Sequence, residues 1–567
     1  MSIRGSRSAR GTRPPASAVA ARGTAAGAVA PDPDEVRPAT REETFPVALG
    51  AVLLSFVALL ISYSRGYLLL YGDAVAHLGI ARRILDSRNP GLVQLGGVWL
   101  PLPHLLMLPF VQKMEWWQNG LAGAWPSLIC YIASVVGLYR LSRHLLAPRW
   151  AIAATAFYAL NPNLLYLATT AMTEPLFLAL VIWTVLLTVE CVVGIHAARQ
   201  AVVARRLVLI AVFILAAVYT RYDGWVLGAA VWCVIAFTLA SRRDVWSRVV
   251  PSFVLFTLIV VGGPISWLAY NQHFFHDPLD FIRGPYSASA IERKTAAAGS
   301  EHYHGWHSPF WALVYYTRTA QVDAAFWETG FLVMTAAIGG VMIAIRRRLA
   351  LPALLLWVPL PFYIYSIAYG SVPIFIPQLW PHSYYNSRYG MEMLPALALF
   401  AVVAVQWLEG RWGQSQPLVK RLMQPIALLL IALNTIGMTY QTPLVLKEAL
   451  ANSTTRVAFE TALARQLRMF PTGAAILMYN SDHVGALQAA AIPLRQTINE
   501  GDYDSFHAAL AAPAEHATYV VAIAGDPVSD AVAAHPEGLT ELSILCTSGQ
   551  PCARIYQSDR AAAPPKP

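Results

Sequence analysis

Residues 71–86 read Tyr-Gly-Asp-Ala-Val-Ala-His-Leu-Gly-Ile-Ala-Arg-Arg-Ile-Leu-Asp and directly follow a long apolar run. Asp73 and His77 are four residues apart, a spacing that places both on one face of a helix. Arg82 and Arg83 follow in the same segment. One interpretation is an amphipathic helix that lies in the membrane interface with its polar side in water. The other is a catalytic acid held at the membrane surface.

The composition is that of a polytopic membrane protein. Of 567 residues, 56% are hydrophobic and 13% are charged, and the mean hydropathy is +0.47. Soluble domains carry about 25% charged residues. The net charge of +9 does not indicate nucleic acid, because most of the basic residues lie in short loops and at the N-terminus.

A spanning helix needs about 20 predominantly apolar residues. Such runs predict about eleven transmembrane helices, and some of their edges are uncertain by several residues. They lie near 45–70, 122–142, 150–168, 175–195, 205–220, 224–240, 249–270, 327–345, 350–369, 390–408 and 422–440.

Basic residues predict the orientation. Five short loops on one side hold three Lys or Arg each, and with the seven arginines of the N-terminus they contain 22 of the 41 basic residues. By the positive-inside rule, this side is cytoplasmic. An odd number of spans then places residues 441–567 outside the plasma or inner membrane.

The chain divides into three predicted parts. Residues 1–44 are rich in Ala, Arg, Pro and Gly without apolar periodicity, which predicts a disordered cytoplasmic N-terminus. Residues 45–440 form the transmembrane domain. Residues 441–567 alternate helical and β-like runs, which predicts a small extracytoplasmic α/β domain. Cys546 and Cys552 lie in this last part, and their pairing in an oxidising compartment stays open.

Polar clusters mark the external ends of several spans. Asp73 follows the first span, Glu174 opens the fourth, Asp223 lies between the fifth and sixth, and Arg388 precedes the tenth. Each one alone is compatible with a helix cap or an interfacial anchor. The cytoplasmic ends carry no comparable acids, and this asymmetry favours a functional site. The segment 98–106, with its prolines and tryptophan, predicts a second interfacial helix in the first external loop.

Two segments carry a family resemblance. Asp73 with Ala81-Arg82-Arg83-Ile84, followed by Trp99-Leu100-Pro101-Leu102-Pro103, is similar to the first external loop of the GT-C membrane glycosyltransferases. The similarity is nearest to the branch of protein O-mannosyltransferases and lipid A aminoarabinose transferases. That branch commonly has an Asp-Glu pair where this chain has Asp73-Ala74. The segments Met172-Thr173-Glu174-Pro175 and Arg388-Tyr389 also resemble that superfamily.

The resemblance implies a GT-C-like fold and an integral membrane hexosyl- or pentosyltransferase. Such an enzyme transfers a sugar, with inversion, from a polyprenyl-phosphate donor to an extracytoplasmic lipid, glycan or protein hydroxyl. A base must deprotonate the acceptor, and cations must neutralise the departing phosphate. Asp73 is the candidate catalytic base. The candidates for donor and lipid-phosphate binding are Arg388, Tyr389, Arg221, Arg82 and His77, and those for sugar or acceptor binding are Glu174, Asp223, Tyr222 and His104.

Metal binding and transport are the alternatives. His302, His304 and His307 match no strong zinc spacing, so we interpret residues 302–307 as an aromatic loop that covers the substrate. We assign no metal ligands and expect no required cofactor, although a divalent metal stays possible. A transporter or flippase is the alternative function. Transporters place ionisable residues near the midplane, whereas convergence of the acids on one external cavity would favour the enzyme.

Overall fold

The structure is a computed structural model that describes residues 36–295, 302–413 and 415–560. Residues 1–35, most of the segment predicted to be disordered, lie outside these ranges. Within the described residues, ten helices are long and apolar enough to cross a membrane. The chain is therefore an integral multi-pass membrane protein, as the sequence predicted.

Eighteen α-helices precede residue 441 in the described part of the chain. They are α1 (Arg41–Ser64), α2 (Gly72–Leu85), α3 (Leu102–Val111), α4 (Met114–Asn119), α5 (Leu121–Ser142), α6 (Pro148–Ala159), α7 (Pro162–Leu167), α8 (Glu174–His196), α9 (Gln200–Val218), α10 (Asp223–Ala240), α11 (Arg243–Phe275), α12 (Asp280–Arg283), α13 (Ala288–Thr295), α14 (Pro309–Ala324), α15 (Thr329–Arg347), α16 (Pro359–Tyr369), α17 (Leu394–Trp412) and α18 (Pro417–Tyr440). Three 3-10 helices are Leu92–Leu95, Leu351–Trp357 and Ser387–Met393.

The C-terminal part is a mixed α/β unit, as expected. Its helices are α19 (Leu444–Leu467), α20 (Val484–Ala490), α21 (Asp504–Ala511), α22 (Pro513–His516) and α23 (Pro527–Ala534), with 3-10 helices at Leu494–Gln496 and Glu500–Asp502. Its strands are β1 (Ile476–Met478), β2 (Thr497–Ile498), β3 (Tyr519–Ile523), β4 (Leu539–Leu545) and β5 (Ala553–Ser558).

One sheet contains all five strands in the order β2-β1-β3-β5-β4. Strands β1, β2 and β3 are parallel, whereas β5 runs antiparallel to both β3 and β4. A disulfide between Cys546 and Cys552 closes the loop that joins β4 to β5. The sequence left open whether Cys546 and Cys552 pair, and in the structure they do.

One predicted span is divided. The run 150–168 forms the two short helices α6 and α7 instead of one long helix. Asn161 interrupts the run because its side chain accepts hydrogen bonds from the backbone N–H groups of Asn163 and Leu164, which starts a new helix. Pro162 occupies the first position of that helix, where its missing N–H costs least.

The segment after α1 folds beneath the C-terminal part. In α2, the side chains of Ala74, Leu78 and Ala81 are fully buried. A Cβ on Gly79 would contact Val484 of α20 at 3.3 Å. The guanidinium of Arg456 in α19 donates to the carbonyls of residues 69 and 70. Helix α2 is thus held between the transmembrane part and the α/β unit.

Helices α15 and α17 pack very closely at one glycine. A Cβ built on Gly340 would stand 1.8 Å from the carbonyl oxygen of Phe400, inside contact distance. The neighbouring Gly339 has only Ala404 Cβ within 4.0 Å. The two glycines therefore form a matched pair, of which one is sterically required and the other is not.

We expect Gly340→Ala to destabilise the protein by about 1–3 kcal/mol, because the added methyl forces α15 away from α17. Thermal unfolding in detergent, followed by intrinsic fluorescence, measures this as a lowered Tm. The control Gly339→Ala should unfold close to the wild-type temperature. Equal Tm values for the two variants would contradict the close helix contact.

Candidate active site

Arg388 lies at the centre of a buried charge cluster. Its Nη2 is 2.5 Å from Asp73 Oδ2, its Nε is 3.1 Å from Glu174 Oε1, and its Nη1 is 3.3 Å from Glu448 Oε1. Each acid comes from a different helix: α2, α8 and α19. One planar guanidinium therefore joins three helices that are far apart in the sequence.

A second arginine extends the cluster. Arg221 lies 3.4 Å from Glu174, 3.4 Å from Asp223 and 3.1 Å from Glu392. Its guanidinium also donates to the hydroxyl of Tyr363 at 2.6 Å. Glu174 contacts both arginines, so the two charge centres form one network.

Aromatic rings complete the network. The guanidinium groups of Arg388 and Arg221 each lie 4.9 Å from the ring centroid of Tyr389, within range of a cation–π contact. Tyr71 contributes a second ring beneath Arg388 at 5.2 Å. Tyr71 also donates a hydrogen bond to the carbonyl of Val445, and burial raises its pKa well above the usual value.

The five carboxylates differ sharply in exposure. The side chain of Asp73 is 42% exposed, whereas those of Glu174, Glu448, Asp223 and Glu392 are at most 2% exposed. Asp73 stands in the first turn of α2, where the free N–H groups of a helix start favour an acid. Asp73 is therefore the carboxylate of this cluster that a solute can reach.

His77 and His104 form a pair beside the cluster. Nδ1 of His77 lies 2.9 Å from Nε2 of His104, and the His77 ring packs on Trp99 with centroids 4.3 Å apart. Burial lowers the pKa of His77 to about 4, and it lowers the pKa of His104 well below the usual value. Both imidazoles are therefore neutral at pH 7, and one ring donates to the other.

Two of the residues predicted to bind donor or acceptor, Arg82 and Tyr222, lie outside the cluster. Arg82 forms an ion pair with Asp86 and donates to the carbonyl of Val111, so it ties the end of α2 to the end of α3. Tyr222 donates from its hydroxyl to the carbonyl of Val98 at 2.6 Å and stacks on Phe281. The structure does bring together Asp73, Glu174, Asp223, Arg221, Arg388 and Tyr389.

Three members of the cluster were not assigned from the sequence. Glu448 lies in a helix that we had assigned to the external domain, so nothing in its own segment linked it to Arg388. Glu392 follows Arg388 by four residues, inside the tenth predicted span, and was not among the candidate site residues. Tyr363 donates to Glu392 at 2.7 Å, but in sequence it is one aromatic among many in an apolar run.

The carboxylates converge on guanidinium groups and do not form a metal-ligand set. No group of three or more His, Cys, Asp or Glu side chains suited to a metal ion occurs in the described ranges. Around the histidine loop, His304 stacks on Trp380, and His302 stacks on Trp306. The role of this loop as a substrate cover stays a prediction.

A small, partly open apolar cleft lies near the charge cluster. It lies between α3, α5 and the start of α8. Its lining includes Pro103, Leu106, Cys130, Ala171, Met172 and Leu176. Met172 precedes Thr173, whose hydroxyl accepts a hydrogen bond from Arg221 at 2.9 Å. The cleft therefore brings apolar surface close to the buried arginines.

The helical arrangement and the C-terminal α/β unit define the GT-C fold of integral membrane glycosyltransferases, as the sequence resemblance implied. In particular, the structure is similar to ArnT, the lipid A aminoarabinose transferase, from Cupriavidus metallidurans bound to undecaprenyl phosphate. The TM-score is 0.56 at 14% identity, over 93% of this chain and 100% of that chain. The structure of Cupriavidus metallidurans ArnT in the apo state gives a TM-score of 0.52 at 15% identity, over 90% of this chain and 98% of that chain. The sequence matches no protein-family model and no curated protein.

The buried histidine pair makes stability depend on pH. Since the pKa of His77 falls from 6.5 to about 4 on folding, only the unfolded state takes up this proton as the pH drops from 6.5 to 4. The free energy of unfolding therefore decreases as the pH falls through that window, by roughly 3 kcal/mol for His77 alone. Above pH 6.5, His77 does not change the free energy of unfolding.

We expect His77→Asn to show a smaller decrease in Tm between pH 6.5 and 4 than the wild type. The exposed His507, replaced by Asn, serves as the control and should keep the wild-type pH dependence. If His77→Asn retains the full pH dependence, the neutral buried pair is not present.

Proposed function

We propose that the protein is a membrane glycosyltransferase that uses a polyprenyl-phosphate sugar as donor and an extracytoplasmic hydroxyl as acceptor. One observation carries the proposal. The buried Arg388 and the partly buried Arg221 are fixed by buried acids beside the accessible carboxylate of Asp73. Such a site offers positive charge for a phosphate and a base for a hydroxyl at the same place.

The chemistry is a single displacement. The carboxylate of Asp73 takes the proton of the acceptor hydroxyl, and the acceptor oxygen forms a bond to the anomeric carbon of the sugar. The bond from this carbon to the phosphate oxygen breaks, and its electron pair leaves with the polyprenyl phosphate. The configuration at the anomeric carbon inverts, as in glycosidases that act without a covalent intermediate.

The arginines supply electrostatic stabilisation of the leaving group. Arg388 uses one N–H toward each of Asp73, Glu174 and Glu448, which leaves two of its five N–H groups for a ligand. Asp73 is the accessible one of the three acids that contact Arg388. A donor phosphate therefore replaces Asp73 most easily, at Nη2 of Arg388. This exchange would release the Asp73 carboxylate at the moment when the donor is bound.

The rigid environment of Arg388 suits this task. Glu448 accepts hydrogen bonds from the backbone N–H groups of Asn386 and Ser387, at 3.1 and 2.7 Å, and so holds the segment that carries Arg388. A cation that is already oriented does not have to reorganise when charge develops on the leaving phosphate. We assign Glu174 and Glu448 as positioning residues for this reason.

The apolar cleft supports a lipid-linked donor. Its lining of Pro103, Met172 and Leu176 is apolar, as contact with the first prenyl units of the carrier next to the phosphate requires. The structure of ArnT from Cupriavidus metallidurans, which has the same fold, is bound to undecaprenyl phosphate. On this interpretation, the carrier chain enters from the membrane between α3 and α5.

We further propose that the site faces the extracytoplasmic side. The cytoplasmic assignment of the N-terminus rests on the basic loops. Helix α2 follows one span and is then external, and the α/β unit is external with it because α20 packs against α2. The disulfide between Cys546 and Cys552 supports this orientation, because disulfides persist in oxidising compartments.

Asp73→Asn should reduce sugar transfer by about 100-fold or more, because the amide cannot accept the proton of the acceptor hydroxyl. The assay incubates purified protein in lipid nanodiscs with a panel of polyprenyl-phosphate sugars and envelope extract, and follows release of carrier phosphate by mass spectrometry.

The matched control is Asp244→Asn, which changes an exposed aspartate that is paired with Arg242 at the start of α11. It should retain wild-type release. Wild-type release by the Asp73 variant, at equal expression and Tm, would disprove the role of Asp73 as base.

A further inference from the structure

A second polar site lies at the other end of α2, between the transmembrane part and the α/β unit. Arg83, in the last turn of α2, donates from Nε to the carbonyl of Gln94 at 2.7 Å. Among the described residues, the remaining N–H groups of its guanidinium make no hydrogen bond or close ion pair, and the carboxylate of Asp502 is near enough to interact with Arg83 electrostatically. Arg83 is only partly exposed. A partly buried guanidinium with spare N–H groups can donate to a further acceptor.

Acceptor oxygens without donors converge near the same point. A Cβ placed on Gly97 would lie 2.0 Å from Asp280 Oδ2 and 2.8 Å from Asn271 Oδ1, so both oxygens point at the backbone of this glycine. Asn271 is fully buried, and its Oδ1 has no hydrogen-bond partner. A Cβ on the adjacent Gly96 would lie 3.6 Å from Arg83 Nη2. Unused donors and unused acceptors therefore lie side by side.

Tyrosines form the rim of this site. The hydroxyl of Tyr286 lies 3.2 Å from that of Tyr479 in the α/β unit. Tyr503 is near enough to Arg83, Tyr286 and Asp280 to interact electrostatically with each of them. Tyr286 and Tyr503 remain 43% and 38% exposed. The rim thus offers aromatic faces and hydroxyls that a solute can reach.

The backbone of Tyr503 is strained. Its φ of 44° and ψ of −105° are unfavourable for a residue with a side chain. Non-glycine residues keep such conformations where the surroundings fix them, and these positions cluster at binding sites. In this protein the strained residue is Tyr503, whose ring lies at the edge of the site.

From these contacts we infer that Arg83, Asn271, Asp280, Tyr286, Tyr479 and Tyr503 form a saccharide-binding site, which we name the Arg83 site. A saccharide carries hydroxyls that donate and accept hydrogen bonds at once, which matches the adjacent guanidinium of Arg83, carboxylate of Asp280 and amide oxygen of Asn271. Its C–H faces pack on tyrosine rings, whose hydroxyls supply further hydrogen bonds.

The position of the site gives it a role in the proposed function, on which this part of the inference rests. Asp73 and Arg83 are ten residues apart on one helix, so their backbones are separated by about 15 Å. An extended saccharide can reach from one to the other. The Arg83 site would therefore hold the glycan part of the acceptor while its terminal hydroxyl stands at Asp73.

The test measures saccharide binding without donor. The probe is the size-fractionated oligosaccharide pool from mild acid hydrolysis of the source organism's own envelope polysaccharide, titrated calorimetrically into the full chain in nanodiscs. We expect binding by the wild type. Arg83→Gln should weaken it by at least about tenfold, because the charged hydrogen bonds are lost.

Tyr503→Gly is the second variant, since glycine adopts the positive φ without strain and only the ring is removed. It should also weaken binding by about tenfold. The control Arg554→Gln alters an exposed arginine paired with Glu541 between β4 and β5 and should bind like the wild type.

No saccharide binding by the wild type at millimolar concentration would overturn the inference. Equal affinities of the wild type and both site variants would overturn it as well. Because no donor is present, saccharide binding with failed sugar transfer would disprove the glycosyltransferase proposal and leave the Arg83 site standing. Sugar transfer without saccharide binding would disprove the Arg83 site and leave the glycosyltransferase proposal standing.

Discussion

The three-way contact of Arg388 is the interaction on which the site depends. Removing one partner from a buried charge network costs about 3–5 kcal/mol, because the remaining charge is left in a medium of low polarity. Arg388 connects Asp73 of α2, Glu174 of α8 and Glu448 of α19. These helices cannot move apart without leaving charges unpaired, so the network fixes the relative positions of the membrane part and the C-terminal part.

The same network explains how one site combines binding and base chemistry. Five carboxyl groups surround two arginines. Four of these acids are buried and positioned, whereas Asp73 is accessible. A phosphate that enters therefore meets fixed guanidinium groups and one carboxylate that can be displaced. In the proposed function, this exchange would link binding of the donor to release of the base.

The sequence predicted the fold well because the physical signal was strong. Apolar runs of about 20 residues identified ten of the spans, and only the run around Asn161 was misinterpreted, since a capping side chain and a proline split it. The segment at Asp73 was identified because an acid after an apolar run is unusual. The contacts themselves could not be predicted, because Glu448 is 60 residues from Arg388 and carries no local signal. The Arg83 site was missed for the same reason: its residues come from four separate segments.

The central claim is that the buried arginines bind the phosphate of a lipid-linked donor beside Asp73. It is tested most directly by an electron cryomicroscopy structure of the protein in nanodiscs with undecaprenyl phosphate. The account predicts the phosphate within hydrogen-bonding distance of the Arg388 guanidinium, with the first prenyl units in the cleft beside Met172. A phosphate bound away from both Arg388 and Arg221, with the Asp73–Arg388 contact intact, would contradict it.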